Sequence, residues 1–258
     1  MPLITLTTDF GTRDFFVAAL KGVLLSHCRG ATLVDLSHDI PPGAVAEASF
    51  LLEAAAETFP AGTVHLAVVD PGVGSARELL GVRLEDAIFL APDNGLLTPF
   101  LVPRAEIRGV DSPDLYRAAS GSTFHGRDRF APVAAWLAAG GAFAEIGPRL
   151  EEPVRLEITP PRRLDGRVEG RIRHIDRFGN LITDIPSTWL SAGAALSVEV
   201  GEHRLSRQAV CYAELEPGEP AVLPGSLGTL ELALNREALA NNWGIAVGTP
   251  VVLRQSRS

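Results

Sequence analysis

Residues 4–37, ITLTTDFGTRDFFVAALKGVLLSHCRGATLVDLS, decide the fold. The opening ITLTTDF is rich in β-branched residues and reads as a strand. From Asp14 onward the spacing changes, and Phe16, Leu20, Val23 and Leu24 fall on one face of a helix. ATLVDLS then returns to strand composition. Working outward, Pro41, Pro42 and Gly43 break the chain, AVAEASFLLEAAAETF supplies a second helix, and TVHLAVVD follows as a strand apolar enough to be buried. Strand, helix, strand, helix, strand predicts a largely parallel sheet flanked by helices.

The chain has 258 residues, enough to bury the core of one large domain or of two modest ones. Hydrophobic residues make up 46% and charged residues 21%, and the mean hydropathy of +0.17 comes from scattered Ala, Val and Leu without any membrane-length run. The start, MPLITLTTDFG, lacks the basic segment, apolar stretch and small-residue cleavage site of a secretion leader, so a cytoplasmic location is expected. A net charge of -8 argues against general binding to nucleic acid, which depends on clustered Lys and Arg. The local RHIDRF patch does not reverse that. Cys28 and Cys211 lack the spacing of a zinc or redox motif and are expected to be buried small hydrophobes.

Composition shifts after Leu150. An N-terminal α/β domain over residues 1–150 is expected to give way to a proline- and charge-rich linker, EEPVRLEITPPRRLDG, over 151–166. Beyond it, residues 167–258 read as short strands separated by Gly, Pro and Asn turns, the pattern of a small β-barrel.

Several constellations carry chemistry. Polar groups close three of the N-terminal strands: Asp9 after LTT, Asp35 to Asp39 around VDLSHD, and Asp70 in VVDPGVG. Ligands of open α/β sheets gather at the carboxyl ends of strands, so Asp9 and Asp70 are candidate site residues. Turn chemistry accounts equally well for Asp70 and the glycines of VVDPGVGSAR, and a helix cap accounts for His125 in STFHGRDRFAP. APDNGLLTP places Asp93 and Asn94 in a strong turn signal. In HIDRFGNLITDI, Asp176, Phe178 and Asn180 alternate along what reads as an extended segment, so an acid, an aromatic face and an amide point one way. The Gly-rich GVG and GSLG fit neither the dinucleotide fingerprint nor the phosphate loop. His27, His38 and His65 lie near acidic strand ends without metal-ligand spacing, leaving a metal site as an alternative reading.

TTDFGTRD, DLSHDIPP, VVDPGVGS with Arg77, APDNGLLT, STFHGRDRFAP, IDRFGN, and YAELEPGEP with GSLGTLELALN occur in that order over nearly the whole chain. Together they resemble the adenosine-forming S-adenosyl-L-methionine hydrolases, or hydroxide adenosyltransferases, relatives of fluorinating and chlorinating enzymes of the same fold. The resemblance implies an α/β domain followed by a β-barrel, and a homotrimer holding substrate between domains of neighbouring subunits; no cofactor is expected, and no metal, since a sulfonium leaving group needs no Lewis acid and the candidate ligands lack metal spacing. It implies a water-handling set at Asp70, Arg77 and His125, with Asp9 and Asp14 near the ribose and the first loop. Asp176, Phe178, Asn180, Tyr212 and Ser226 match the half of the site that holds adenine and the methionine portion. Glu231 and Asn235, in and beside the late segment LNREALANNWG, receive no assigned contact. Retention of Asp70, Arg77 and His125 favours hydroxide over halide as nucleophile. A halide-using adenosyltransferase, a metal-dependent hydrolase and a noncatalytic adenosine-binding module are the alternatives.

Overall fold

A computed structural model describes residues 1–118, 121, 123–190 and 195–255. They divide into two compact units, Met1–Glu157 and Ile158–Ser258.

In the first unit six strands, β1 (Leu3–Thr8), β2 (Thr32–Ser37), β3 (Val64–Val68), β4 (Leu79–Leu84), β5 (Ala87–Pro92) and β6 (Glu106–Gly109), form one sheet in the order β2-β1-β3-β5-β4-β6. The four strands β2, β1, β3 and β5 are parallel, as the strand–helix alternation predicts. β4 runs antiparallel to both β5 and β6 and so joins the sheet as a hairpin insertion. Both faces are covered. Ile4, Leu6, Leu66 and Val68 pack with Leu20 and Leu24 of α1 (Phe16–His27) and with α3 (Ala131–Ala138). Ala67, Val69 and Phe89 pack on the other face with Ala48 and Leu52 of α2 (Val45–Ala56). Neighbouring residues of one strand thus feed different cores, the period-2 signature of a strand buried on both sides. Leu20 and Leu24, both fully buried one turn apart, anchor α1; truncating either to Ala should cost about 2–5 kcal/mol.

The second unit holds β7 (Arg162–Leu164), β8 (Arg167–Ile175), β9 (Leu181–Pro186), β10 (Leu196–Val200), β11 (His203–Leu205), β12 (Pro220–Pro224), β13 (Thr229–Leu234) and β14 (Pro250–Gln255), with a short α4 (Leu239–Trp243). The strands run antiparallel along the path β11-β10-β14-β8-β9-β13-β12, and β7 adds to β8. Gln208, just past β11, bridges to Val222 of β12, so the ends of the path meet in a nearly closed barrel. β9 and β10 alternate buried and half-buried residues, one face filling the barrel.

Two readings of local sequence change. The segment 151–166 contains the division between the two units, yet parts of it are held to structure: Val154 N–H donates to Asp93 Oδ1 (2.9 Å), Leu156 N–H donates to Thr98 Oγ1 (2.8 Å), and Arg162–Leu164 form β7. The partners of Val154 and Leu156 lie some 60 residues away, where composition gives no sign of them. Cys28 is buried as expected, but Cys211 is exposed, because it lies on the loop that delivers Tyr212. Among the described residues no helix is long and apolar enough to cross a membrane.

Candidate active site

β1 is flanked by β2 on one side and β3 on the other, so the chain reverses its direction of winding between β1 and β3. Asp9 follows β1 and Asp70 follows β3, placing two carboxylates at that switch point. Asp9 Oδ2 accepts a hydrogen bond from Gly43 N–H (2.9 Å). Gly43 has φ +74°, and a Cβ there would stand 3.5 Å from Pro71 Cβ, so the loop tied to Asp9 presses on the turn that starts at Asp70.

That turn is closed by Gly72 N–H donating to Asp70 Oδ1 (3.2 Å), and its glycines let the chain double back to Arg77. Arg77 grips Asp70 bidentately, Nε to Oδ1 at 2.6 Å and Nη2 to Oδ2. Arg77 Nη2 also lies 3.4 Å from His125 Nδ1. A guanidinium only donates, so Nδ1 accepts and the neutral ring carries its proton on Nε2. His125 Nε2 is buried and has no hydrogen-bond partner among the described residues. Burial, joined by the charges of Arg129 and Arg77, holds His125 below the ordinary histidine pKa, leaving it neutral at pH 7. Burial and Arg129 push Arg77 down to about 10, against the pull of Asp93; it stays a cation at neutral pH.

His125 is aimed by a distorted helix start. Residues Gly126–Phe130 form a π-turn leading into α3. Pro132 has no N–H for the Asp128 carbonyl, and that carbonyl accepts instead from Arg117 N–H (2.9 Å). The Asp128 carboxylate is held by Arg127 at 2.7 Å through two bonds and by Arg117 at 3.1 Å. A Cβ at Gly126 would come within 3.3 Å of Phe10 and 3.5 Å of Val68, so a small residue lets the turn sit against the end of β3. Asn94 serves its turn: its Nδ2 donates to Val69 O (2.9 Å) and its Oδ1 accepts from Leu96 N–H (3.2 Å), fixing the backbone just before Asp70.

In the second unit, Asp176, Phe178, Asn180, Tyr212 and Ser226 line one cavity of about 580 Å³, together with Glu231, Asn235 and Arg236. Asp176, Phe178 and Asn180 do not share an extended strand. They form the hairpin turn between β8 and β9, in which Asp176 Oδ1 accepts from the N–H groups of Phe178 and Asn180, both at 2.9 Å. Gly179 has φ +82°, and a Cβ there would overlap Ala238, so the turn packs against the start of α4. Phe178 is 76% exposed and presents a bare aromatic face. Asn180 Nδ2 donates to Asp176 Oδ2 (3.0 Å) and to Tyr212 Oη (3.3 Å), and Tyr212 Oη donates to Glu231 Oε1. Burial is the main force raising Glu231, with Asp176 adding to it; burial and Glu231 likewise raise the Tyr212 phenol.

The structure therefore joins Asp70, Arg77 and His125 in one set, with Asp9 one loop away, and gathers the five second-unit residues around one cavity. Asp14 is exposed between β1 and α1 and, among the described residues, has no hydrogen-bonded partner. Glu231, like Asn235, is a cavity residue the sequence reading left without a role. The signal for Glu231 was an acid inside the apolar run of β13, LELAL, where burial demands a partner. Among the described residues no three His, Cys, Asp or Glu side chains are grouped to hold a metal ion.

An α/β unit with charged strand ends followed by an antiparallel barrel with a polar cavity matches one family in both halves. Residues 4–147 match the SAM hydroxide adenosyltransferase N-terminal domain and residues 170–252 the C-terminal domain of the same family; the chain belongs to it. It is 40% identical over 255 residues to a protein of Thermus thermophilus named (R)-S-adenosyl-L-methionine hydrolase, covering 95% of this chain and 97% of that one. A protein of Salinispora tropica with the same name is 35% identical, covering 96% and 95%. The crystal structure of an uncharacterized conserved protein from Thermotoga maritima superposes with a TM-score of 0.93 at 32% identity, covering 97% of this chain and 99% of that one. More distantly, a fluorinase of Actinoplanes sp. is 30% identical over an alignment of 295 positions, covering 99% and 98%.

Proposed function

We propose that this protein hydrolyses S-adenosyl-L-methionine to adenosine and L-methionine, in the cytoplasm and as a homotrimer whose neighbouring subunits share each site. The observation that supports the reading is the Asp70–Arg77–His125 set, closed by direct bonds at the end of β3, in a chain that matches a protein named as a hydrolase over 95% of its length. The sulfonium leaves as a neutral thioether and needs no general acid. A water oxygen attacks ribose C5′, the C–S bond breaks with its electron pair to sulfur, and the water gives up one proton. One cation and one water become two neutral products and H⁺.

The three side chains divide that work. Arg77 supplies the positive charge that favours hydroxide character on the attacking oxygen. Asp70 keeps lone pairs beyond those Arg77 occupies and accepts the proton. His125, whose Nδ1 is taken by Arg77, offers Nε2–H to the water oxygen and orients it. Asp9 and Asp14 serve the ribose hydroxyls. In the second-unit cavity Phe178 and Tyr212 give aromatic faces to adenine, and Ser226 lies with the methionine portion. Asp176 and Glu231 give the cavity the negative character that suits a substrate carrying a sulfonium and an ammonium.

A halide-using adenosyltransferase is the second reading, favoured by the likeness to fluorinase. The carboxylate of Asp70 beside the nucleophile position speaks for water over a halide anion. Incubation with both sulfonium epimers in ¹⁸O-labelled water, with and without added halide, tests both. Adenosine labelled at its 5′ oxygen is expected; a 5′-halogenated nucleoside in place of adenosine would overturn the hydrolase reading.

A further inference from the structure

Four side chains of the second-unit cavity form one hydrogen-bond chain with a single direction. Glu231 and Asp176 are its ends, and a carboxylate only accepts. Tyr212 gives its one proton to Glu231, so its oxygen turns lone pairs toward Asn180. The Asn180 amide therefore faces two acceptors, Tyr212 Oη at 3.3 Å and Asp176 Oδ2 at 3.0 Å. Only its NH₂ group fits there, since a flipped amide would set Oδ1 against two oxygens with no hydrogen between them. Both amide hydrogens are thereby used. Oδ1 is left over: no hydrogen bond among the described residues ends on it, and Asn180 lines the cavity.

We infer that Glu231 is a positioning and specificity-determining residue: acting through Tyr212, it locks the Asn180 amide so that the cavity offers an acceptor and selects a purine bearing an amino group over one bearing a carbonyl at the same edge. The inference rests on the reading that this cavity takes the base. Without an acceptor at position 231, the Tyr212 proton is free to turn toward Asn180 and the amide can present either end. With Asp176 as the sole remaining constraint, discrimination falls.

Calorimetric titration with adenosine and with inosine tests this without turnover. Native protein should bind adenosine about 10- to 100-fold more tightly, the scale of one unmatched buried polar group. Glu231→Leu should bring the ratio below about threefold. Glu231→Gln, whose amide oxygen still accepts from Tyr212, should keep the native preference, and a purely structural role for Glu231 would not produce that rescue. Tyr212→Phe, which removes one of the two acceptors and does not touch Glu231, should give an intermediate ratio, and it keeps the test open if Glu231→Leu fails to fold. Equal affinities in native protein, or an unchanged ratio in folded Glu231→Leu or Tyr212→Phe, overturn the inference. Discrimination as described in a protein that leaves S-adenosyl-L-methionine intact overturns the hydrolase reading alone.

Discussion

The two halves of the proposed site are built on opposite plans. At the end of β3 the polar side chains are paired before any substrate arrives: Arg77 grips both oxygens of Asp70 and reaches His125, which is almost fully buried. In the second unit the polar side chains ring an open cavity, and the aromatic face of Phe178 stands uncovered. Groups that act on water must be held by the protein itself, because water is too small to order them. Groups that bind a large substrate can each keep one atom or one face unsatisfied until it comes.

The largest effect that separates the two plans is on turnover. Replacing Asp70, Arg77 or His125 by Ala should lower kcat by about two to four orders of magnitude with a much smaller change in KM, the usual scale for a positioned proton-transfer or electrostatic group. Double variants should lose little beyond the worse single one, since the three act as a unit. Single-turnover release of adenosine from folded variants measures this, and near-native rates in all three would remove the set from the mechanism. Because burial and two arginines hold His125 below the ordinary 6.5, any fall of turnover on acidification through this ring should come at lower pH than an ordinary histidine would give. A kcat that titrates at about 6.5 would show a histidine in ordinary surroundings.

The packed character of the first unit also has a thermodynamic signature. His65 of β3 is buried against Phe89 and bonded to Thr5, and burial pushes its pKa down to about 4. Between pH 6.5 and 4 the unfolded ring takes up a proton that the folded ring refuses, so stability falls as pH drops through that window. The full effect is about 3 kcal/mol. Urea unfolding at several pH values should show this slope in the native protein and a flatter one in His65→Phe; equal slopes would assign the acid sensitivity elsewhere.

A smaller effect belongs to the open half. Phe178→Ala and Asn180→Ala should raise KM by about tenfold and leave kcat nearly alone, because stacking and hydrogen bonding to the base are already made in the ground state. Loss of kcat at unchanged KM would contradict a binding role. The smallest expected effect is none: activity should survive exhaustive chelation, since the leaving group needs no Lewis acid. A preparation silenced by chelator and restored by one particular ion would favour a metal-dependent reaction instead.

Sequence and structure agree most closely where the information is local. The strand–helix alternation of residues 4–69 specifies parallel strands because apolar period and turn residues act within a few positions. Placing Asp9 and Asp70 at strand ends needed only those boundaries. The turn at Asp93–Asn94 was equally legible, and the structure uses Asn94 as a turn residue. Legibility fails where a side-chain capture of the backbone or a distant contact overrides the apparent period or composition. Asp176, Phe178 and Asn180 alternate as a strand would, yet the Asp176 side chain captures two backbone N–H groups and Gly179 fits against Ala238, which makes them a turn. Residues 151–166 have linker composition and are nevertheless held by Asp93, Thr98 and β8.

What the sequence by itself determined is the set of chemical types and their order: the alternating elements, the acids at strand ends, the histidine before a helix, the turn-rich barrel strands. Each follows from periodicity, capping and turn preferences that a short stretch of chain carries alone. The tertiary structure alone decided which atoms are satisfied and which are left free. That His125 keeps Nε2–H without a partner among the described residues, and that Glu231 leaves Asn180 with only its oxygen to offer, depends on the direction of hydrogen bonds between residues 48, 32 and 19 positions apart. Direction of that kind exists only once the chain has brought a donor and an acceptor face to face.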